Sequence, residues 1–332
     1  MDLALRFRHL RFPEKPPNVW LRSTRLKTHE NFQKPRPKVE TGAEPILSHH
    51  TVPWSMVRLL VCSEPDLPSA NMKESLFRMH QWEDMGSDGR NSYLSNGDTV
   101  MVTIPDMHIR HEDLDKEVED FGVKVDEVIV MSKHSAASGR PALTAHPIGN
   151  YHENDFGGKE GAVVKANPAL MTDALRRIVA MNDIPDEQLC FEVTHHGPWL
   201  EKPTFFIEVG SEEREWGNRH AAEILANVID SLEPHDEYPS AIGIGGGHYA
   251  PRFTEVALKY KVNFGHMIPN YHLEGRDDED IVRMIGLAGE ATDSKLVYLH
   301  GKSMKKAEER RIESLMESAG YERIKSADLE PL

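Results

Sequence analysis

From Met56 to the C-terminus, apolar runs with strand character alternate with stretches of helical periodicity. In the stretch 212–232, for example, Ile224, Leu225 and Val228 recur at helical spacing. Strands are predicted at 57–63, 99–105, 127–132, 188–196, 204–211, 240–246, 262–268 and 295–301. Helices are predicted at 68–79, 112–121, 168–182, 212–232, 252–260, 277–290 and 302–319. This alternation, with short connections, predicts an α/β fold.

One connection constrains the sheet. About seven residues separate the predicted strand that ends at His196 from the one that begins at Thr204, which is too few for a parallel crossover. We therefore expect a three-layer sandwich with a mixed, largely parallel sheet. The segment 71–99 predicts a helix followed by a small hairpin.

Residues 1–55 are basic and proline-rich and have no sustained apolar period, so we predict a disordered leader there. Residues 56–332 are predicted to form a single α/β domain that opens on "MVRLLVCSE". The leader lacks the apolar core of a secretory signal. An extended start on a cytoplasmic protein is favoured; a plastid or mitochondrial transit peptide is the alternative, although it would be richer in serine and poorer in glutamate.

The charge of the chain is divided unevenly. Residues 1–40 hold ten basic and four acidic residues, a net of +6, so the other 292 residues carry −21 of the total of −15. A body that acidic is atypical of a general nucleic-acid binder, and a nucleic-acid partner would need a local basic patch. Cys62 and Cys190 are too few for a disulfide framework or a thiolate zinc site, which favours a reducing compartment. No apolar run approaches the roughly 20 residues that cross a bilayer.

Histidines stand at or just beyond several predicted strand ends. Ligands of open α/β sheets bind at the carboxyl ends of the strands, so histidines far apart in the chain can share a pocket there. A single histidine in such a place is more often structural, but the recurrence favours a metal site with imidazole and carboxylate ligands. The predicted metal ligands are His134, His196, His248 and His266.

Three residues near these histidines are candidates for acid–base chemistry or metal binding. In "THHGP", His195 and His196 would point to opposite faces of a strand, so both reach one site only if the chain turns at Gly197. Glu208 is a carboxylate inside the apolar run "FFIEVGS" and needs a cation or a hydrogen-bond partner if it is buried. Glu192 is the second choice for the same part.

Two loops are candidates for substrate contact. "GIGGGHYAPRFTE" places Gly245, Gly246 and Gly247 between a strand and a helix, which suits close approach of a substrate to the backbone. Arg252 and Thr254 at the start of that helix could hold a phosphate or carboxylate. "SKHSAASGRPALTAHPIGN" predicts a second, long loop, with Arg140 as its cation.

A basic segment, "HGKSMKKAEERR", opens the last long helix. A solvated helix face is the default interpretation of such a run. Because the rest of the chain is acidic, this segment is also the best candidate for contacting a nucleic-acid backbone. Its candidate residues are Lys302, Lys305, Lys306 and Arg310.

The motifs "SKHSAASGRPALTAHPIGN", "FEVTHHGP", "FIEVGS", "GIGGGHYAPRFTE" and "FGHMIPNYHL" together resemble the D-aminoacyl-tRNA deacylases of the archaeal and plant type, from about Met56 to the C-terminus. The resemblance implies hydrolysis of the ester between a D-amino acid and the tRNA 3′ end. It also implies zinc, with one or two ions per chain, and a fold similar to peptidyl-tRNA hydrolases and phosphorylases. Plant members are further associated with removal of N-ethyl adducts formed from aldehydes.

On this interpretation the domain is catalytic, and tRNA charged with D-amino acids is the partner of the basic segment. Zinc would activate a water molecule, Arg252 or the glycine-loop amides would stabilise the oxyanion, and His195 or Glu208 would transfer the proton. Two alternatives stay open: a zinc peptidase or amidohydrolase that acts on small molecules, and a non-catalytic tRNA-binding module. Nothing in the sequence points to a membrane or a protein partner.

Overall fold

The computed structural model describes residues 56–137 and 139–332; the predicted leader, residues 1–55, lies outside the described residues. The strands of the described part are β1 (Arg58–Ser63), β2 (Glu83–Ser87), β3 (Ser92–Asn96), β4 (Thr99–Ile104), β5 (Glu127–Lys133), β6 (Ala142–Pro147), β7 (Gly149–Asn150), β8 (Ala162–Val163), β9 (Gln188–Phe191), β10 (Thr204–Gly210), β11 (Ser240–Ile244), β12 (Asn263–Ile268), β13 (Leu296–Leu299) and β14 (Glu322–Ile324). The helices are α1 (Leu67–Met79), α2 (Leu114–Asp120), α3 (Pro168–Met181), α4 (Glu213–Trp216), α5 (Arg219–Asp230), α6 (Pro251–Ala257), α7 (Asn270–Leu273), α8 (Asp278–Thr292) and α9 (Lys306–Ser318).

Eight strands form a large mixed sheet in the order β2-β3-β4-β1-β5-β10-β6-β9. Its centre, from β4 through β1 and β5 to β10, is parallel, whereas β2 and β3 form the predicted hairpin and pair antiparallel with β4. Helices α1, α3 and α5 pack on one face, and α2 contributes to the core on the other. The predicted fold class, an α/β sandwich with a mixed and largely parallel sheet, is confirmed.

The prediction of a long loop after His134 was wrong in part, because Ala142–Pro147 forms the buried strand β6. Leu143 and Ala145 belong to the large core cluster, and Thr144 between them faces the other way. Small residues and a flanking proline hid this alternation in the sequence. Strand β6 runs antiparallel to β10 and parallel to β9, and it separates the two strands that the short connection had led us to consider together.

A second, four-stranded sheet was not predicted. Its order is β12-β11-β13-β14 and every pair is parallel. Helices α8 and α9 cover one face, and α3 and α6 lie towards the other. Helix α3 also contacts β6 and β9, so it is packed between the two sheets. Apolar periodicity identified three of these strands but could not say which strands are neighbours.

Two element boundaries differ from the prediction in ways that affect the site. The single helix expected at 212–232 is divided at Asn218, whose side chain accepts hydrogen bonds from two amides and starts α5. Strand β9 ends at Phe191 rather than at residue 196, which releases the next five residues into an irregular segment. No helix among the described residues is long and apolar enough to cross a membrane.

Arg176 on α3 fixes the segment between α6 and β12. Its guanidinium donates to the carbonyl oxygens of Ala257, Tyr260 and Val262 at 3.0–3.1 Å. We expect Arg176→Met to lower the free energy of unfolding by about 2–4 kcal/mol, because charged hydrogen bonds are lost and carbonyls are left without donors. Arg219→Met is the control: Arg219 is 67% exposed in its pair with Glu74, so the loss should stay below about 1 kcal/mol in the same urea titration.

Equal effects of the two substitutions would show that the Arg176 hydrogen bonds do not stabilise this connection.

Candidate functional site

Histidines and glutamates from four parts of the chain meet beside the large sheet. His134 follows β5, His146 lies in β6, Glu208 lies in β10, and the segment 192–196 follows β9. The sheet register places His146 opposite Phe206 and places Glu208 opposite Thr144. Because β6 and β9 run against β5 and β10, these residues do not come from one carboxyl edge, as the sequence had suggested. They converge because short strands end within the sheet.

One group consists of His146, His195 and His196. The ring of His195 lies 4.2 Å from that of His146 and 4.4 Å from that of His196, measured between centroids. One ligand atom of each residue lies within 4.8 Å of those of the other two. The sequence interpretation identified two of these histidines and missed His146, whose only signal was its place in the small-residue run "ALTAH".

The three histidines of this group share one hydrogen-bonding pattern. Each places Nδ1 against a backbone carbonyl: His146 against Pro147 at 3.2 Å, His195 against Val193 at 2.7 Å and His196 against Gly197 at 2.7 Å. A carbonyl oxygen only accepts, so each Nδ1 carries the proton. Nε2 is then the atom left to bind a metal, and that of His146 is buried without a hydrogen-bond partner. This is the usual arrangement of imidazoles that bind a metal.

Two adjacent histidines reach the same group because the chain turns between them. His196 has φ of 43°, in the left-handed region that residues other than glycine rarely adopt. The next residue must be glycine, since a Cβ on Gly197 would lie 2.2 Å from the amide nitrogen of Gly158. The predicted turn at Gly197 therefore exists, and it is held by direct backbone contact with the 157–158 loop.

A second group, His134, Glu192 and His248, adjoins the first. Glu192 Oε2 lies 2.8 Å from His248 Nε2 and 3.6 Å from His195 Nε2, so one carboxylate faces both groups. Glu192 Oε1 lies 3.2 Å from His134 Nδ1 but outside hydrogen-bonding geometry, and it is buried without a hydrogen bond. The other ring nitrogen of His134, Nε2, lies 3.0 Å from the Tyr249 hydroxyl.

Electrostatics divide the imidazoles into two kinds. Burial, reinforced by the charge of His146, lowers the pKa of His195 and lowers the pKa of His196 to about 4. In contrast, the carboxylates of Glu192 and Glu208 overcome burial, raising the pKa of His134 to about 11 and also raising the pKa of His146. His195 and His196 are therefore neutral at pH 7 and have free lone pairs, whereas His134 is cationic.

Both carboxylates are fully enclosed and both are ionised. Burial alone would raise their pKa values, but hydrogen bonds and the charge of neighbouring imidazoles lower them: His134 and His248 act on Glu192, and His146 and His134 act on Glu208. Glu208 Oε2 lies 3.5 Å from His134 Nδ1 and 3.6 Å from His146 Nε2. Two buried negative charges require positive charge beside them, either from imidazolium or from a cation.

His266, a predicted metal ligand, belongs to neither group. It is fully buried in β12, where Nε2 lies 2.7 Å from the Val164 carbonyl and Nδ1 lies 3.0 Å from Thr194 Oγ1. Since both ring nitrogens are engaged inside the fold, neither can bind a metal. His266 is a structural histidine of the second sheet.

The glycine loop is built differently from the prediction. Gly245 and Gly246 have φ of 104° and 86°, and their amides donate to Ile268 and to the side chains of Asn270 and Ser303. Two of the three amides expected to face a substrate are therefore used within the fold. Gly247 is exposed, and a Cβ there would meet nothing within 4 Å.

The remaining predicted substrate contacts also have structural partners. Arg252 bonds to Glu255, Tyr298 and Ser326. Thr254 Oγ1 accepts from the amide of Phe191 and so supports β9. Arg140 is exposed, and its carbonyl accepts from the Ser211 hydroxyl. None of these three residues belongs to either histidine group.

The predicted basic segment lines two cavities next to the glycine loop. Lys302 and Lys305 line one of about 580 Å³, and Lys302 and Lys306 line another of about 430 Å³. Arg310 is exposed on α9 and lines neither. Ser303 connects this segment to the loop, because its hydroxyl accepts from the Gly246 amide at 2.8 Å.

The comparisons with known proteins agree with the resemblance seen in the motifs. A family model described as D-aminoacyl-tRNA deacylase matches residues 121–324. A relative from Thermococcus onnurineus, named D-aminoacyl-tRNA deacylase, is 37% identical over 81% of this chain and 100% of its own. A relative of the same name from Methanococcoides burtonii is 34% identical over 82% of this chain, and the match spans 57% of that longer protein.

A solved structure supports the same assignment. The crystal structure of a conserved protein of unknown function superposes with a TM-score of 0.75 at 29% identity, covering 83% of this chain and 99% of that one. The family model covers more than half of the chain, and the Thermococcus relative is matched along its whole length. The chain belongs to the D-aminoacyl-tRNA deacylase family.

Proposed function

We propose that this protein hydrolyses the ester that joins a D-amino acid to the 3′ end of tRNA, at a zinc ion held by His146, His195 and His196. The observation that carries the proposal is the shared pattern of these imidazoles: each has Nδ1 against a carbonyl, and one ligand atom of each lies within 4.8 Å of those of the other two. Family membership supplies the substrate class. The zinc peptidase alternative gains no support from the family match, and we do not propose it.

The donor set suits zinc. Three imidazoles and an open position are a known form of catalytic zinc site. Carboxylates that do not bind the metal themselves commonly lie beside the histidines of such sites. When bound, zinc lowers the pKa of water towards about 7 and polarises a carbonyl. His134, Glu192 and His248 are a candidate group for a second ion, whose binding would displace the proton that His134 holds without it.

Glu192 is the best placed residue to accept a proton from the attacking water. Its Oε1 is free of hydrogen bonds, and its Oε2 bonds to His248, whose side chain is 34% exposed. A proton taken up at Glu192 can therefore pass to His248 and on to the ribose oxygen as the ester C–O bond breaks. Glu208, the first choice from sequence, lies deeper, where its charge balances His134 and His146.

The tRNA would approach over the basic segment. Lys302, Lys305 and Lys306 line two cavities, and Ser303, which lines the larger one, accepts a hydrogen bond from Gly246 in the loop that leads to His248. A phosphate bound at these lysines would lie on the same side of the fold as the proposed base. We infer that selection of the D form results from exclusion of L side chains by the walls of the site.

Removing a ligand tests the metal centre. We expect His146→Ala and His195→Ala to lower zinc affinity at least tenfold and to abolish deacylation, because each removes an Nε2 donor. His220→Ala, at a histidine that is 54% exposed on α5, is the control and should keep both properties. Zinc content is measured by mass spectrometry after dialysis, with circular dichroism to check the fold.

Wild-type zinc content in both ligand variants would remove the basis of the proposed centre. His248→Ala reports on the second group: loss of one ion from a total of two would place that ion there.

Substrate selection is tested with matched D- and L-charged tRNA. We expect hydrolysis of the D-aminoacyl ester at a rate at least a hundredfold above that of the L form, and loss of that activity after treatment with a chelator. Readdition of zinc should restore it. Equal rates on the two forms would contradict the proposed specificity, and activity that survives removal of the metal would contradict the zinc mechanism.

Salt dependence tests the basic segment. We expect the combined substitution of Lys302, Lys305, Lys306 and Arg310 by alanine to raise KM for charged tRNA about tenfold or more and to flatten the dependence of log KM on log salt, since fewer counterions are released. Lys116→Ala on α2, at a side chain 46% exposed, is the control. If the dependence of log KM on log salt is unchanged in the variant with all four substitutions, tRNA binds elsewhere.

A further inference from the structure

An aromatic ring stands exposed between the histidine site and the basic cavity. Tyr271, on the short helix α7, is 48% exposed, which is unusual for a large ring. Its hydroxyl lies 3.5 Å from His248 Nδ1, so the ring borders the second histidine group. The adjacent residue, Asn270, lines the larger basic cavity together with Lys302, Lys305 and Arg311; Glu274 and Glu308 line it too, and Arg311 is paired with Glu308.

Helix α7 is fixed relative to both neighbours. The Asn270 side chain accepts from the Gly246 amide at 3.2 Å and donates to the Ser303 carbonyl at 2.7 Å. The backbone amide of Asn270 also donates to the Gly246 carbonyl at 2.9 Å. The position of the Tyr271 ring is therefore tied to the glycine loop that leads to His248 and to the segment that carries the lysines.

This order of groups matches the order of groups at the end of a charged tRNA. The ester is attached to the ribose of an unpaired nucleotide, whose base lies on one side of the sugar and whose phosphate lies on another. Unpaired bases are held in proteins mainly by stacking on exposed aromatic side chains, and phosphates by basic side chains. With an ester at the histidines and a phosphate at the lysines, the base would lie near α7.

We propose that Tyr271 is the stacking platform for the 3′-terminal base of the tRNA. The inference rests on the proposed function, since it names a contact that the same substrate makes at the same site. Tyr271 is then a binding residue that contributes to substrate affinity through its ring rather than its hydroxyl.

Phe156 offers a matched control. It is 63% exposed, and its carbonyl accepts from the Gly197 amide at 3.1 Å, so it too borders a histidine group. Neither ring lines the two basic cavities itself, but Asn270 beside Tyr271 lines the larger one, whereas no chain neighbour of Phe156 does. If the substrate needed only apolar surface beside the histidines, removing either ring would weaken binding. If the terminal base stacks while its phosphate lies at the lysines, only the loss of Tyr271 should weaken binding.

The experiment uses the zinc-loaded full chain and two probes. One probe is D-aminoacyl-tRNA, for KM and kcat. The other is a non-hydrolysable amide, 3′-(D-alanylamino)-3′-deoxyadenosine, compared with the same compound lacking the base, for Kd by calorimetry. The variants are Tyr271→Ala, Tyr271→Phe, Tyr271→Trp and Phe156→Ala.

We expect Tyr271→Ala to raise KM and the Kd of the adenosine probe about tenfold or more, with kcat and zinc content changed less than twofold. Phe and Trp at this position should restore binding to within about twofold, and Phe156→Ala should resemble the wild type. The base-free probe should bind all variants equally weakly.

Three results would overturn the stacking role while leaving the deacylase proposal intact. They are an unchanged KM in Tyr271→Ala, an equal loss for the base-free probe, and failure of Tyr271→Phe to restore binding, which would instead assign the effect to the hydroxyl contact with His248. If the wild type does not hydrolyse D-aminoacyl-tRNA at all, the proposed function fails first. The adenosine probe then tests the ring by itself.

Discussion

The site depends on the burial of two negative charges. Glu192 and Glu208 come from neighbouring parts of the large sheet and are almost completely removed from solvent. Buried carboxylates stay ionised only when positive charge lies within a few ångströms. His134 supplies such charge within 3.5 Å of both. The high density of imidazole around these carboxylates is therefore an electrostatic requirement of this part of the fold, and a cation would meet the same requirement.

The antiparallel strand β6 makes this arrangement possible. Strand β6 lies between β9 and β10, so that His146 and Thr144 stand between the strand that carries Glu208 and the strand that leads to Glu192. Strand β6 places His146 between β10, which carries Glu208, and β9, which ends at Phe191 and is followed by the irregular residues 192–196. Fold and site are thus connected through one short strand, whose sequence is inconspicuous.

The sequence predicted the parts with strong periodicity or a distinctive motif. The central strands β1, β4, β5 and β10 and the helices α1, α3 and α8 were found, because their apolar runs are long and regular. His134, His195, His196 and His248 do gather at one place. His146 was missed because "ALTAH" has weak strand character, and Glu192 was ranked below Glu208 because exposure and hydrogen bonding cannot be read from a run of letters. His266 looked like a ligand because only three-dimensional contacts show that both of its nitrogens are engaged.

Neither of the two candidate metal-binding groups contains sulfur, and this bears on how the protein reacts with oxidants and electrophiles. Burial raises the pKa of Cys62 to about 11 and that of Cys190 to about 12, so both thiols remain protonated. The thiolate is the form that peroxides and electrophiles attack. Neither the buried thiols nor the two candidate metal-binding groups therefore offer a thiolate to an oxidant or an electrophile.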